Sequence, residues 1–483
     1  MKYLELIENN KDEMIKTLQE LLAIRSVLEP ETGEMPFGQG IHDAFLYMLA
    51  KAEQDGFNVE NIENYGGHIE FGGDIFDDDD DVIGKREESF GILVHLDVVP
   101  EGNDWDFAPY GAEISDGKIY GRGAIDNKGP AIASYFAMKA LKEAGFRPEK
   151  RVRLILGLDE ETKWKGMRKY LEKVKAPDIG FAPDAVFPVI HGEKGILTFE
   201  LAKKINKSIS KGLELRSFKG GSAANMVADF ARVVVRDEKV KTYEEIKNKA
   251  AKYRELTQHK LNVKGVGKSL EITARGISSH GSRPEDGCNA ISVMMDFLST
   301  LSFANEDVNE LVAFYNDHIG FELDGTGMGA GLSDEVSGKL VFNVGMIDMD
   351  NEACVITINL RYPVTMNDDM IYEAMMPMIN KYNLGVVKLK HQPPIYFPKD
   401  APLITTLMNI YRKNTGDDVS EAVVIGGGTY ARAAENIVAF GGLFPGQDDM
   451  AHKKNEYIEI DSLVLMSKIY AEAIYEMTSE KLF

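Results

Sequence analysis

The hydrophobic pattern of the first 190 residues is one of short, nearly unbroken apolar runs. Residues 90–94 (FGILV) and 152–158 (VRLILGL) read as strands buried on both faces, because a half-exposed strand would alternate apolar and polar positions. Between them, Gly129-Pro130 opens AIASYFAMKALKEAG, a helix with proline in its first turn and Gly145 just past its end. Strand, helix and strand in succession form a crossover unit, which places the two strands parallel in one sheet. Residues 1–24 also carry helical spacing.

From about residue 195 to 390 the pattern changes. Strand-like runs at 196–201, 270–274, 355–360 and 386–389 are separated by helices over 289–301 and 369–382. Such patches fit an α+β domain. From about 395 the chain returns to helix and short strand and ends in a helix over 462–478.

At 483 residues the chain is too long for one core, so two domains are expected. A net charge of -22, with no dominant Lys/Arg cluster, argues against nucleic acid as a partner. No apolar run approaches the ~18 residues of a membrane helix, so no membrane partner is expected. The N-terminus lacks a basic start followed by an apolar core, so no signal peptide is expected. The only cysteines, Cys288 and Cys354, make no disulfide framework and read as buried thiols in a cytoplasmic protein.

Candidate chemistry gathers where the apolar runs end. His95 and Asp97 follow 90–94 in VHLDVVP, and Glu160 and Glu161 follow 152–158 in LDEET. Asp126 stands in GRGAIDN and Asp184 in FAPDAVFP. In parallel sheets, ligand groups collect at the carboxyl ends of the strands. Imidazoles and carboxylates without a thiolate suit zinc, with manganese and cobalt as alternatives. Two such ions ~3.5–4 Å apart need a bridging carboxylate with terminal ligands on either side. Asp126 is read as the bridge, His95 and Asp184 as ligands of one ion, and Glu161 with His452 (in AHKKNE) as ligands of the other. Glu160 is then left to act as general base, taking a proton from the attacking water and passing it to the leaving amine. Asp97 is assigned to hold the other ring nitrogen of His95. The four carboxylates carry as much negative charge as two divalent ions carry positive, and without those ions they would raise one another's pKa. Each side chain alone has a plainer reading, such as a solvated loop or, for Asp126, a helix cap. Their recurrence at strand ends carries the metal reading.

The strings HLDVVP, GRGAIDNKGP, LDEET, FAPDAVFP, SSHGSRPEDGCNA, INLRYP, GGGTYAR and AHKKNE follow one another over about residues 90–460. In this order they resemble the co-catalytic zinc aminopeptidase and carboxypeptidase superfamily of carboxypeptidase G, aminoacylase and succinyl-diaminopimelate desuccinylase, and within it the PepV-type dipeptidases. The resemblance implies the roles above, strengthens the weak case for His452, and implies a cis Asp126-Asn127 peptide. It also implies that His280 of an inserted lid domain donates a hydrogen bond to the oxyanion. Arg361, Asn225 and the backbone around Gly427 and Thr429 would hold a substrate carboxylate.

With His452 among the ligands, the middle of the chain is an insertion. The expected fold is α/β: a mostly parallel-sheet catalytic domain with helices on both faces (1–192 and 393–483), split by an α+β lid (193–392). The expected activity is that of a metal-dependent dipeptidase acting on unblocked dipeptides with two divalent ions. The alternative is an N-acyl amino acid amidohydrolase of desuccinylase or deacetylase type. A monomer is implied. Two apparent motifs are set aside. NVKGVGKS has Asn262 where a phosphate loop needs glycine, and the acidic run 77–81 has Val82 where a calcium loop needs glycine. H-E-x-x-H and G-x-S-x-G do not occur.

Overall fold

The computed structural model describes residues 2–77, 79, 81–206 and 211–479. Asp78 and Asp80 of the acidic run lie outside the described residues. Asp77 closes the turn there, accepting the amides of Asp79 and Asp81 at 3.0 and 2.9 Å.

The chain forms two compact units. The first comprises Met1–His191, Phe397–Val423 and Gly428–Phe483; the second comprises Gly192–Tyr396 and Val424–Gly427.

In the first unit the strand Ser89–His95 lies parallel to Arg151–Gly157 on one side and Ile179–Ala182 on the other. Ile437–Ala439 continues the parallel set beyond Ile179–Ala182. Gly67–Phe71 and Asn58–Asn61 extend the opposite side antiparallel. Every residue of Ser89–His95 is buried, as the unbroken apolar run requires of a central strand covered on both faces. The crossover helix is Lys128–Glu143, buried along nearly its whole length, with Gly145 at φ 82° past its end. It packs with the last helix, Ile460–Ser479. The single helix expected over 1–24 is instead two, Lys2–Asn9 and Lys11–Leu22, because the first helix ends at Asn10.

The second unit is built on an eight-stranded antiparallel sheet. Its order is Lys260–Val266, Ser269–Arg275, Phe230–Arg236, Glu214–Gly220, Val341–Met349, Ala353–Tyr362, Gly195–Lys204 and Gly385–Gln392. Along Phe230–Arg236 burial alternates, with Ala231, Val233 and Val235 in the core. The core side is filled by side chains of Val240–Thr257, Ala290–Ser299, Glu306–His318 and Asp368–Lys381. The fold is thus α/β in the first unit and α+β in the second. NVKGVGKS is the hairpin joining the first two strands of this order, turning at Gly267 (φ 58°), and not a phosphate loop. Cys354 is buried as expected, but Cys288 is only partly so, lying in the segment that bridges to Ile277 before the helix Ala290–Ser299. Among the described residues no helix is long and apolar enough to cross a membrane.

Candidate metal centre

The first unit delivers its donors from the ends of its strands. His95 is the last residue of Ser89–His95, Glu160 and Glu161 follow Arg151–Gly157, and Asp184 follows Ile179–Ala182. Asp126 lies in the loop leading into Lys128–Glu143, and His452 in the loop before Tyr457–Glu459.

Asp126 sits between the two imidazoles. Its Oδ1 is 3.0 Å from His95 Nε2 and its Oδ2 is 3.0 Å from His452 Nε2. Asp184 Oδ1 approaches the same His95 Nε2, at 3.6 Å. Glu161 Oε1 likewise shares His452 Nε2 with Asp126, at 2.9 Å. Two groups have donor atoms all within 4.8 Å of one another: His95 with Glu160 and Asp184, and His95 with Asp126 and Glu161.

Neighbouring groups fix these donors. His95 Nδ1 lies 2.9 Å from the backbone carbonyl of Asp97 and 3.5 Å from its carboxylate. The Asp97 carboxylate makes its closer contacts elsewhere, accepting the amides of Glu160 and Glu161 at 3.0 and 3.1 Å. It therefore ties the diglutamate loop to the His95 strand. Trp164 Nε1 donates to the Glu160 carbonyl at 2.7 Å. The Asp126-Asn127 peptide is cis, and Asn127 Nδ2 donates to Asp184 Oδ1 at 3.1 Å and to the Pro183 carbonyl at 2.7 Å. The Asn127 side chain makes no cap on the following helix.

Electrostatics mark the set as short of positive charge. Burial works against charge on His95, yet Asp184 and Asp126 overcome it and raise the imidazole well above its ordinary pKa. His452 is likewise raised by Asp126 and Glu161 against the opposing effect of burial. Burial pushes Glu160 well above the carboxylate range, with the Asp184 charge adding to it. Burial, then repulsion from Asp126, pushes Glu161 up to about 7. Asp184 is also raised by burial, against the pull of His95. Only Asp126, whose burial is outweighed by His452 and His95, is held well below its usual value. An N/O donor set of one buried and one exposed imidazole and four half-buried carboxyls, which recruits protons onto both imidazoles and three of the carboxyls, is one that divalent cations fit. The cysteines, both in the second unit, offer it no sulfur.

Two residues without a role in the sequence reading hold this centre. Glu456, fully buried, accepts the amides of Ile125 and Asp126 at 3.0 and 3.1 Å through Oε1 and pairs with Arg122 Nη1 at 2.6 Å through Oε2. Tyr430, also fully buried, sets its ring edge-on to His95, the centroids 6.2 Å apart. Glu456 lies within the quoted AHKKNE string, but nothing local to it announced a partner more than 300 positions away. Tyr430 looked like one more apolar residue after a glycine run.

The remaining candidates divide between the units. Thr429, in the first, is buried, and its Oγ1 accepts the amide of Ala431 as the cap of a short 3-10 turn. In the second unit the segments of Asn225 and His280 run side by side. Met226 bridges His280, and the Asn225 carbonyl accepts the Gly281 amide at 2.7 Å. His280 is exposed, with Nδ1 2.6 Å from Ser282 Oγ. Arg361 is buried on Ala353–Tyr362, between Ile196 and Val341 of the adjacent strands. Gly427 belongs to the short return of the chain into the second unit.

Fold and donor set together define a metal-dependent peptide hydrolase. Residues 91–476 match the model of peptidase family M20/M25/M40, and the chain belongs to that family. It is 36% identical over 472 residues to "Putative dipeptidase YtjP" of Bacillus subtilis (strain 168), covering 97% of each chain. It is 37% identical to "Putative dipeptidase SAB1611c" of Staphylococcus aureus (strain bovine RF122 / ET3-1), covering 99% of each. Among solved structures, human carnosine dipeptidase 1 shares the fold with a TM-score of 0.59 at 14% identity, covering 99% of this chain and 98% of that one. The di-peptidase Dug1p of Saccharomyces cerevisiae does so with a TM-score of 0.56 at 12% identity and the same coverage.

Proposed function

We propose that the protein is a dipeptidase with a dinuclear metal centre and Glu160 as general base. The observation that carries the reading is the position of Asp126, each of whose carboxylate oxygens faces a different histidine at 3.0 Å. A carboxylate so placed suits a bridge. His95 and Asp184 would hold one ion, and Glu161 and His452 the other. When bound, the ions would polarise the scissile carbonyl and acidify water. Zinc fits the donors, and manganese and cobalt fit the same geometry. The amino acid sequences of the relatives named as dipeptidases, similar over nearly their whole length, support the choice of short peptides.

In this reading Glu160 takes a proton from water as its oxygen attacks the carbonyl carbon. The C–O bond forms, the C–N bond then breaks, and Glu160 returns the proton to the leaving amine. Burial suits this task, since a base with a raised pKa both accepts and releases a proton near neutrality. Asp97 fixes the Glu160 backbone. His280 would donate to the developing oxyanion, and Arg361, Asn225 and the backbone at Gly427 and Thr429 would recognise the carboxylate end of the substrate. Capture of that carboxylate limits substrate length. The deciding assay compares an unblocked dipeptide, the matching tripeptide and the N-acylated amino acid on the metal-loaded enzyme. Preference for the dipeptide is expected; faster hydrolysis of the acylated amino acid would overturn the reading.

A further inference from the structure

The second unit carries a concentration of positive charge that the hydrolytic reaction does not use. The outward face of its sheet, at the Lys260–Val266 edge, forms an open cleft of about 790 Å³. The register across the three outermost strands places its side chains in rows. Phe230, Arg275 and Lys260 stand in one row, Arg232, Thr273 and Asn262 in the next, and Val234, Glu271 and Lys264 in the third.

Lys260 and Arg275 are therefore directly opposed, both exposed, on neighbouring strands. Like charges in that relation repel and weaken a sheet. Nothing nearby relieves them: among the described residues neither has a carboxylate within 4 Å, and Arg275 rests its guanidinium over the Phe230 ring at 4.9 Å. The one acid of the cleft, Glu271, is already shared by Arg232 at 2.5 Å and Lys264 at 2.8 Å, which hold its carboxyl below the usual range. Arg254, at the end of the helix Val240–Thr257, adds a fifth cation, its Nη1 donating to the Leu261 carbonyl at 3.0 Å. A chain of net charge -22 thus gathers five cations against one carboxylate in a single cleft. Local frustration of this kind, kept where two surface residues could simply differ, marks a site for a ligand.

The geometry points to a binding site for a small ligand bearing two phosphate groups. Neighbouring strands lie ~4.8 Å apart and successive outward residues ~7 Å apart. Lys260 with Arg275 forms one cationic station, and Arg232 with Lys264, on either side of Glu271 and together outweighing its single charge, forms a second within reach of one compact molecule. Guanidinium forks and ammonium groups in combination recognise phosphate oxygens. Asn262 and Thr273 share the row of Arg232 and add neutral donors between the rows of Lys260 and Lys264. A long polyanion is disfavoured, since the acidic remainder of the surface would repel it.

The test is calorimetric titration of the full-length, metal-loaded enzyme with fructose 1,6-bisphosphate at constant ionic strength. Saturable binding at one site is expected, weakened at least about tenfold in both Lys260→Glu and Arg275→Glu. Peptide hydrolysis should be unchanged in both. Lys260→Glu turns the opposed pair into an attractive one, so without ligand this variant should melt at a higher temperature than the parent; Lys260→Gln provides a milder second variant. The site would be overturned by the absence of saturable binding at millimolar ligand, or by equal binding in the variants. Glutarate binding as tightly as the bisphosphate would overturn the phosphate assignment.

Discussion

The Asp126 backbone amide donates a hydrogen bond of 3.1 Å to the Glu456 carboxylate, although 330 positions separate the two residues. The same carboxylate also holds Ile125 and the buried Arg122, so the loop that presents Asp126 hangs on one side chain near the C-terminus. Glu456→Gln keeps an acceptor for the amides but leaves the Arg122 charge unpaired. Breaking a buried pair costs about 3–5 kcal/mol, and loss of such support weakens metal affinity roughly 10- to 100-fold. Urea unfolding and a metal titration of the variant should show both losses. Adding Arg122→Met should return part of the stability, because the stranded charge is then gone.

Glu160→Ala should abolish turnover while leaving the metal content of the purified enzyme near that of the parent. Mass-spectrometric metal analysis beside a rate measurement checks this. Loss of metal along with activity would make Glu160 a ligand instead, as its grouping with His95 and Asp184 allows.

Chelation should remove activity and lower the melting temperature together. Restored divalent ion should raise stability in a saturable way, by about 2.7 kcal/mol at a hundredfold excess over Kd. Calorimetric melting across a zinc or manganese series reads this directly.

His68, buried beside Tyr170, is pushed down to about 4, chiefly by burial and then by the Arg153 charge. Its folded pKa lies below the unfolded value of ~6.5, so the unfolded chain binds the extra proton first as pH falls. Its contribution is complete above pH ~6.5 and lost as pH drops toward 4, on the order of 3 kcal/mol in all. Urea midpoints measured across that range should fall steeply for the parent and less so for His68→Gln.

Gly157 ends its strand against the Tyr430 ring. A Cβ there would lie 2.2 Å from Tyr430 Cε2 and 2.5 Å from its hydroxyl oxygen. Gly157→Ala should therefore cost about 1–3 kcal/mol and shift the ring that abuts His95. Thermal melting should record the loss, and combining it with Tyr430→Leu should recover part of it.

Much of this architecture was legible because its signals are local. The strand expected over 90–94 extends by one residue at each end to Ser89–His95, the one expected over 152–158 is shifted by one to Arg151–Gly157, and the two are parallel as the intervening helix required. His95, Glu160 and Glu161 were visible as candidates because each follows such a run, whereas Asp126 and His452 lie in loops ahead of the next element, where no run announces them. Strands with a polar outer face were harder. Lys260–Val266 alternates Lys260, Asn262 and Lys264 with its inward residues, and without knowledge of its pairing it reads as loop. The division of labour at Asp97 was also hidden. Its spacing from His95 suggested one contact, whereas its carboxylate reaches amides 63 and 64 positions later. Spacing within a motif says little about partners that only the folded sheet brings near.

The first unit is stitched from three separate stretches, while the second is nearly continuous. A ribosome therefore finishes the second unit while the first still lacks its closing helix and His452. Synthesis proceeds from the N-terminus, and a nascent chain of this kind holds only an unfinished cage. A centre that draws on His452 would thus be completed only after the whole of the second unit has been made.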